Sequence, residues 1–399
     1  MLIRDSIPAA LLACALLAGC DTDSTLGTPS TTPVALAAGG GHNCALLKSG
    51  EVYCWGSNDF GQIGAGSAPA SVPEPARVAS GERFAAISAG GETTCALNPA
   101  GKLFCWGRNP ARMLGVAEPF VSAPVAVAPA MTWRSVSVGY SHVCGMALDG
   151  VAYCWGGNTQ GQLGIGRVDT DAHPAPEPVA GPVRLASVMA ATIHSCGLDA
   201  GGKAYCWGMN WQGVITTDNA PVQPLPARAG GDLSYEELMT GTTFVCGRTA
   251  DARVSCWGDN SSGSFGTGDL VSGRDPRPAF GGVPLRVLAL NSENTFTVHA
   301  CATGADDGAV CWGSTSGGRL GGTPTAPRPC FAPAAGTTCD PVGTRVATHR
   351  FAALELGNIH SCGLTRERTV LCWGGGERGQ LGNGTLVSSP TPVTVRLPS

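Results

Sequence analysis

Residues 44–66 read CALLKSGEVYCWGSNDFGQIGAG, and the spacing within this stretch decides how the rest of the chain is read. Two cysteines stand ten positions apart, with Ser49 midway between them. A three-residue hairpin loop, Lys48-Ser49-Gly50, therefore sets Cys44 directly across from Cys54. Loops of this length favour a type I turn ending on a left-handed residue, usually glycine, and Gly50 stands at that place. Facing residues on antiparallel strands have Cα atoms about 4.5–5.5 Å apart, within reach of a disulfide. Alternation along the second strand puts Tyr53 and Trp55 on one face and Cys54 on the other.

The arrangement recurs. At the same spacing Cys44 is followed by Cys54, Cys95 by Cys105, Cys144 by Cys154, Cys196 by Cys206, Cys246 by Cys256, Cys301 by Cys311 and Cys362 by Cys372, and each is expected to form a disulfide. Trp-Gly follows the second cysteine of every pair. Successive first cysteines are 51, 49, 52, 50, 55 and 61 residues apart, a repeat near fifty with insertions toward the C-terminus. Gly101, Gly150 and Gly202 repeat the turn glycine, whereas Ala252, Asp307 and Arg368 replace it and suggest a different turn. Within a unit, RFAAISAG (83–90), TTCAL (93–97) and KLFCWG (102–107) read as strands, and PARVAS precedes them as a fourth. Four strands per unit make a propeller blade, and the density of glycine (58) and proline (29) rules out the long helices of a helical solenoid. The expected fold is all-β, a seven-bladed propeller with the repeat tryptophans packed between blades. Trp133 joins them, at the strand position held by Phe84, Tyr235 and Phe351 in other copies. The first copy begins at PVALAAG without a PARV-type strand, and the last carries the extra segment PTPVTVRL (390–397). The C-terminal strand is thus expected to complete the first blade and close the ring.

Eighteen cysteines without any Cys-x2-Cys spacing indicate an oxidising compartment rather than zinc. The N-terminus agrees. Arg4 precedes the apolar run IPAALLACALLA, too short to span a bilayer, and small residues follow at Ala18 and Gly19, so residues 1–19 read as a signal peptide. Leu17-Ala18-Gly19-Cys20 resembles a bacterial lipobox, which implies lipid on Cys20 and attachment to a membrane of a bacterial cell envelope. Asp21 resembles an inner-membrane retention signal. Residues 20–33, polar and rich in Pro, Ser and Thr, form a tether, and 34–399 form the propeller. Sixteen cysteines remain after Cys14 and Cys20, and the pair outside the hairpins, Cys330 and Cys339, would staple the longest insertion. A net charge of −4 without a basic stretch argues against nucleic acid.

The segments GYSHVCGMALDGVAYCWGGNTQGQLGIG (139–166) and GNIHSCGLTRERTVLCWGGGERGQLGNG (357–384) resemble the repeat of the regulator of chromosome condensation family, which implies a seven-bladed propeller over residues 34–399. Five copies carry the family's histidine two places before the first cysteine, at His42, His142, His194, His299 and His360, and Thr93 and Phe244 depart from it. The tail Gly61-Gln62-Ile63-Gly64 is kept in Gly161–Gly164 and Gly379–Gly382 and has decayed around Gly213. Members of this family include exchange factors for a nuclear GTPase and secreted inhibitors of β-lactamases. An exported chain has no access to the GTPase.

No nucleophile elbow, zinc-protease motif or P-loop is present, and neither metal nor cofactor is expected. Histidines one blade apart suit the ordering of a turn better than metal binding. Gly374-x-Gly376-x-x-Gly379 lacks a following helix, and Asp169, Asp171 and His173 share one solvated loop. Binding residues are sought where the repeat does not dictate the side chain. Trp211 takes a turn position held elsewhere by Asp59, Pro110, Thr159, Ser261, Ser316 and Glu377, and Arg108, Arg112, Phe265, Arg274 and Arg277 sit in comparable loops. The sequence thus points to a non-enzymatic, monomeric module that binds a protein through a rim, with an extracellular lyase or hydrolase, or a secreted enzyme inhibitor, as alternatives.

Overall fold

The computed structural model describes residues 30–215, 220–291, 298–330 and 337–398. Residues 1–29, where the signal peptide, Cys20 and most of the tether are expected, lie outside them. In the first sheet, Pro33–Ala38, His42–Leu47, Val52–Ser57 and Ser71–Arg77 pair antiparallel in chain order. Four more four-stranded sheets follow the same plan. The remaining strands form one eight-stranded sheet, because Thr338–Leu356 pairs at its start with Gly308–Ser314 and at its end with His360–Thr365. That long strand is the product of the insertion after Cys311, which carries the Cys330–Cys339 bond with its Cα atoms 5.7 Å apart.

Every sheet is contiguous in sequence, which corrects the expected strand exchange at the ring closure. Ser389–Thr394 pairs with Val370–Gly374 of its own unit, and the first sheet has its own outer strand in Ser71–Arg77. The reason is the connection after Trp55. Residues 58–70 are long enough to bring the chain back antiparallel to Val52–Ser57, so the PARV-type segment belongs to the unit before it. Closure is made by hydrogen bonds instead. The loops between first and second strands form a collar: Gly40 N–H donates to Gly91 O, Tyr140 N–H to Ala191 O, Asn291 Nδ2 to Gly357 O, and Asn358 N–H back to Gly40 O. Apolar contact seals the same seam, with Leu36 and Trp55 packed against Leu364, Leu381 and Val395.

The hairpins share one geometry. Leu47 N–H donates to Glu51 O and Gly50 N–H to Leu47 O, which puts Cys44 and Cys54 opposite each other with Cα atoms 4.0 Å apart. Their position between hydrogen-bonded pairs explains this short approach, closer than the spacing alone suggests. The same bond joins Cys95 to Cys105, Cys144 to Cys154, Cys196 to Cys206, Cys246 to Cys256, Cys301 to Cys311 and Cys362 to Cys372. Cα separations across the seven pairs are 4.0–4.1 Å, and all fourteen cysteines are buried. Ala252, Asp307 and Arg368 do not change the turn. They adopt φ of 63°, 61° and 65° in the place of Gly50 and repeat its hydrogen bonds, so the sulfur bridge and strand register hold a left-handed conformation that these residues would otherwise avoid.

Between units, each repeat indole docks on the tail of the preceding copy. Trp106 Nε1 donates to Gln62 O at 2.9 Å, Trp155 to Met113 O at 2.9 Å, and Trp55 to Gln380 O across the seam at 2.9 Å. A second ring wedges against it from the strand entry, as in Phe84–Trp106, Trp133–Trp155, Tyr235–Trp257 and Phe351–Trp373. Each of the seven indoles that follow a second hairpin cysteine has its one polar atom satisfied, which is the condition for burying it without penalty, whereas the buried Trp133 Nε1 finds no hydrogen-bond partner among the described residues.

Candidate functional site

The histidines belong to this inter-sheet framework. All five are fully buried, and four reach the side chain that precedes the first cysteine of the next copy. His42 Nε2 meets Thr94 Oγ1 at 2.7 Å, His142 meets Ser195 Oγ at 2.8 Å, His299 meets Ser361 Oγ at 2.9 Å, and His360 meets Asn43 Oδ1 at 2.9 Å. Those groups donate onward to the carbonyls that accept the indoles: Ser195 Oγ to Gln162 O, Ser361 Oγ to Arg319 O, and Asn43 Nδ2 to Gln380 O. With their own protons so used, they can only accept from the imidazole, which fixes the neutral Nε2–H tautomer. Burial lowers the pKa values of His42 and His194 to about 4 and those of His142 and His360 to about 3, so none carries charge at neutral pH.

Where the histidine is missing, its acceptor is missing too. Phe244 faces a unit with Ala300 before the cysteine, and Thr93 one with Val143. Ser195→Ala alone is expected to cost about 1–3 kcal/mol, because it leaves the buried His142 Nε2–H without an acceptor. The double substitution His142→Phe with Ser195→Ala imitates the pairing of Phe244 with Ala300 and should recover at least half of that loss in a denaturant titration. Additive losses would contradict the relay.

The two rims of the ring differ. One carries the hairpin turns and both described chain ends: Lys48 N–H bonds Thr32 O, and Thr31–Pro33, Glu367–Val370 and Val395–Pro398 line one shallow cleft. The opposite rim carries the collar and the long loops after each Trp-Gly. There the candidate residues separate. Arg108 ends its strand with the guanidinium 5.1 Å over the Phe60 ring, 3.3 Å from Glu92 and 3.4 Å from the Tyr140 hydroxyl. Phe120 meets Phe60 edge-on at 6.4 Å. Phe120 is 46% exposed and Tyr140 39%, so three neighbouring units contribute to one open aromatic patch around a single cation. Arg112 lies exposed on the same loop as Arg108, at φ 56°.

Trp211 is 50% exposed at the start of the short 3-10 turn Trp211–Gly213, beside Arg274 of the next unit. Phe265 is corrected: it is fully buried, against Phe244 at 6.3 Å. Its place in the tail matches Ile63 and Leu163, which are equally buried, so the ring is core filling rather than a loop feature. Arg277 is committed to its own loop through two bonds to Asp269, at 3.0 and 2.6 Å. His173 is likewise occupied, held between Asp169 at 2.8 Å and Glu177. Phe60, Phe120 and Tyr140 do not stand out in the sequence, because each is unremarkable within its own copy.

Residues 17–335 match the RCC1-like domain, and residues 352–380 and 369–399 match the regulator of chromosome condensation (RCC1) repeat. The chain belongs to the RCC1-like domain family. Over 85 residues it is 39% identical to the human probable E3 ubiquitin-protein ligase HERC4 and 40% identical to the human regulator of chromosome condensation, in each case 21% of this chain. Those segments are 8% and 20% of the two relatives, so the RCC1-like chain spans a small part of either. Among solved structures it is similar to Prp20p from Saccharomyces cerevisiae, whose binding properties to Gsp1p and histones were described with its structure: TM-score 0.73, 18% identity, 87% of this chain and 86% of that one. At that identity the likeness concerns the RCC1-like fold alone.

Proposed function

We propose that the chain is an exported, seven-bladed RCC1-like propeller, tethered by lipid at Cys20 to a bacterial envelope membrane and braced by its hairpin disulfides, and that it binds a partner protein through the rim carrying the collar. The observation that carries this reading is the open Phe60–Arg108–Phe120–Tyr140 patch. Aromatic rings and arginine at the centre of a rigid surface are the usual anchors of protein interfaces, and no element of the repeat requires them there. The position of the chain ends supports the orientation. Ser30 stands ten positions after Cys20, a reach of at most roughly 35 Å, so a lipid at Cys20 keeps the hairpin rim toward the membrane and presents the patch away from it. Sixteen cysteines at pairing distance suit the oxidising side of such a membrane.

Crosslinking on intact cells followed by mass spectrometry tests the reading. The native chain should recover one dominant protein partner, and Arg108→Ala or Phe120→Ser should cut that recovery about tenfold or more while leaving the thermal melt unchanged. Equal recovery from native and variant chains would remove the patch from the account.

A further inference from the structure

At one junction both aromatic rings that pack a unit onto the next are absent. At the strand entry the residue whose N–H bonds the left-handed turn residue of the preceding hairpin is Phe84, Trp133, Tyr235 and Phe351 in four copies, with partners Gly50, Gly101, Gly202 and Asp307. Leu285 makes the same bond to Ala252 at 2.8 Å, so it occupies the same place with an aliphatic side chain. A second ring supports the wedge from the strand of the second cysteine, as Phe104 does for Phe84 at 5.9 Å and Tyr153 for Trp133 at 5.9 Å. The matching residue here is Val310. Every other copy keeps at least one of the two rings: Pro33 stands with Tyr53, Leu185 with Tyr205, Tyr235 with Ser255 and Phe351 with Leu371. The junction of Leu285 and Val310 has neither.

The vacated space is open. A cleft of about 500 Å³ lies there, walled by Leu285, Val310, Ala302, Val283 and Val342, with Phe280 standing over it. Phe280 holds φ 47° and presents its ring to Trp312 at 4.8 Å, edge to face, so it covers the indole that the wedge covers at other junctions and itself lines the cleft. A bulky residue held at positive φ is strained, and such strain persists where neighbouring structure enforces it, often beside ligands. The polar groups at the mouth are few: Asp306 and Arg345 pair with each other at 2.6 Å. Concave, apolar, of this volume and with one polar edge, the cleft has the form of a small-molecule site.

We infer that the cleft between Leu285 and Val310 is a ligand site for a small aromatic molecule of one or two fused rings, which takes the place of the missing wedge against Phe280. The class follows from the register: Leu285 and Val310, which wall the cleft, stand where aromatic side chains stand at other junctions. The cleft opens beside the hairpin turn of residues 304–308, on the rim opposite the aromatic patch, and is independent of that patch.

Ligand-observed NMR on the full chain with its disulfides intact tests this, with indole and decanoate as the two probes. Indole should bind saturably with a Kd below about 1 mM. Leu285→Phe with Val310→Tyr restores both rings and should weaken indole at least about tenfold, with a melting temperature equal to or above that of the native chain. If the double variant does not keep a native melt, Val310→Tyr alone, the residue found at this register in other copies, carries the same comparison. Absence of saturable indole binding, equal binding by a folded ring-restored variant, or binding of decanoate in preference to indole would each overturn the assignment.

Discussion

Full reduction of the eight disulfides is expected to unfold the protein at neutral pH in denaturant concentrations that leave the oxidised form intact. Each hairpin bond closes a ring of eleven residues, which in loop-closure terms stabilises the fold by up to about 3 kcal/mol. Seven such contributions together exceed the roughly 5–15 kcal/mol net stability of a typical domain if most of each is realised, and rival it even if each delivers only half. Opening one hairpin, as in Cys144→Ala with Cys154→Ala, should cost about 2–3 kcal/mol and leave the rest folded. The hairpin sulfurs are buried, so thiol reagents should act on them in the native chain only after unfolding has been started. Circular dichroism melts with and without reductant, paired with a count of free thiols, measure both effects. A reduced chain that melts where the oxidised chain does would deny the bridges any structural role.

The second large effect is a loss of stability with rising pH, centred on one carboxyl group at the seam of the ring. On the innermost strands, Ser88 Oγ accepts a hydrogen bond from Val138 N–H of the next sheet at 3.1 Å, and Ser137 Oγ from Ala190 N–H at 3.0 Å. Glu355 holds the matching register, opposite Cys362 as Ser88 is opposite Cys95, and accepts from Ala38 N–H. The cap that joins the last unit to the first is therefore an acid. Burial pushes its pKa up to about 8, against the bond from Ala38, which favours the charged form. The strands around it, Pro33–Ala38, Leu288–Leu290 and His360–Thr365, carry His360 as their one titratable side chain, and that imidazole is neutral and bound to Asn43.

The folded pKa lies above the ordinary value of 4.5, so the folded state holds this proton more tightly than the unfolded chain does. Its stabilising contribution is complete below pH 4.5 and is lost as pH rises through about 8, an upper bound of roughly 4–5 kcal/mol, since the residue keeps part of its surface open. Glu355→Gln keeps the acceptor and removes the charge. At pH 9 that variant should melt several degrees above the native chain, and at pH 5 the two should coincide. Parallel pH profiles for the two proteins would exclude the carboxyl as the cause. The histidines act in the opposite sense: their folded pKa values are depressed, so their contribution is present above about pH 6.5 and falls away as pH drops toward 3–4.

How much of this is legible in the sequence follows from what a repeat makes visible. The cysteine hairpins and buried tryptophans can be read because their spacing is local and occurs seven times. The phase of the units cannot, since the PARV-type segment sits between two sheets and its partner is decided by the loop after Trp-Gly. Phe265 reads as a loop residue although a contrary signal exists: it stands nine places after Cys256, as Ile63 does after Cys54 and Leu163 after Cys154, and all three are buried. The partners of the histidines are also present, one copy further on. The aromatic patch and the seam carboxyl have no such trace, because each depends on side chains brought together from different units.

Because no strand is exchanged at the seam, each unit is complete in its hydrogen bonding from its inner strand to its outer one, and the two described chain ends meet on one rim. The gene can therefore be cut and rejoined between units without orphaning a strand, except within Thr338–Leu356, which runs unbroken from one unit into the next. For such a chain the number of sectors is set by how many wedges fill a circle, not by any obligation of the first segment to the last.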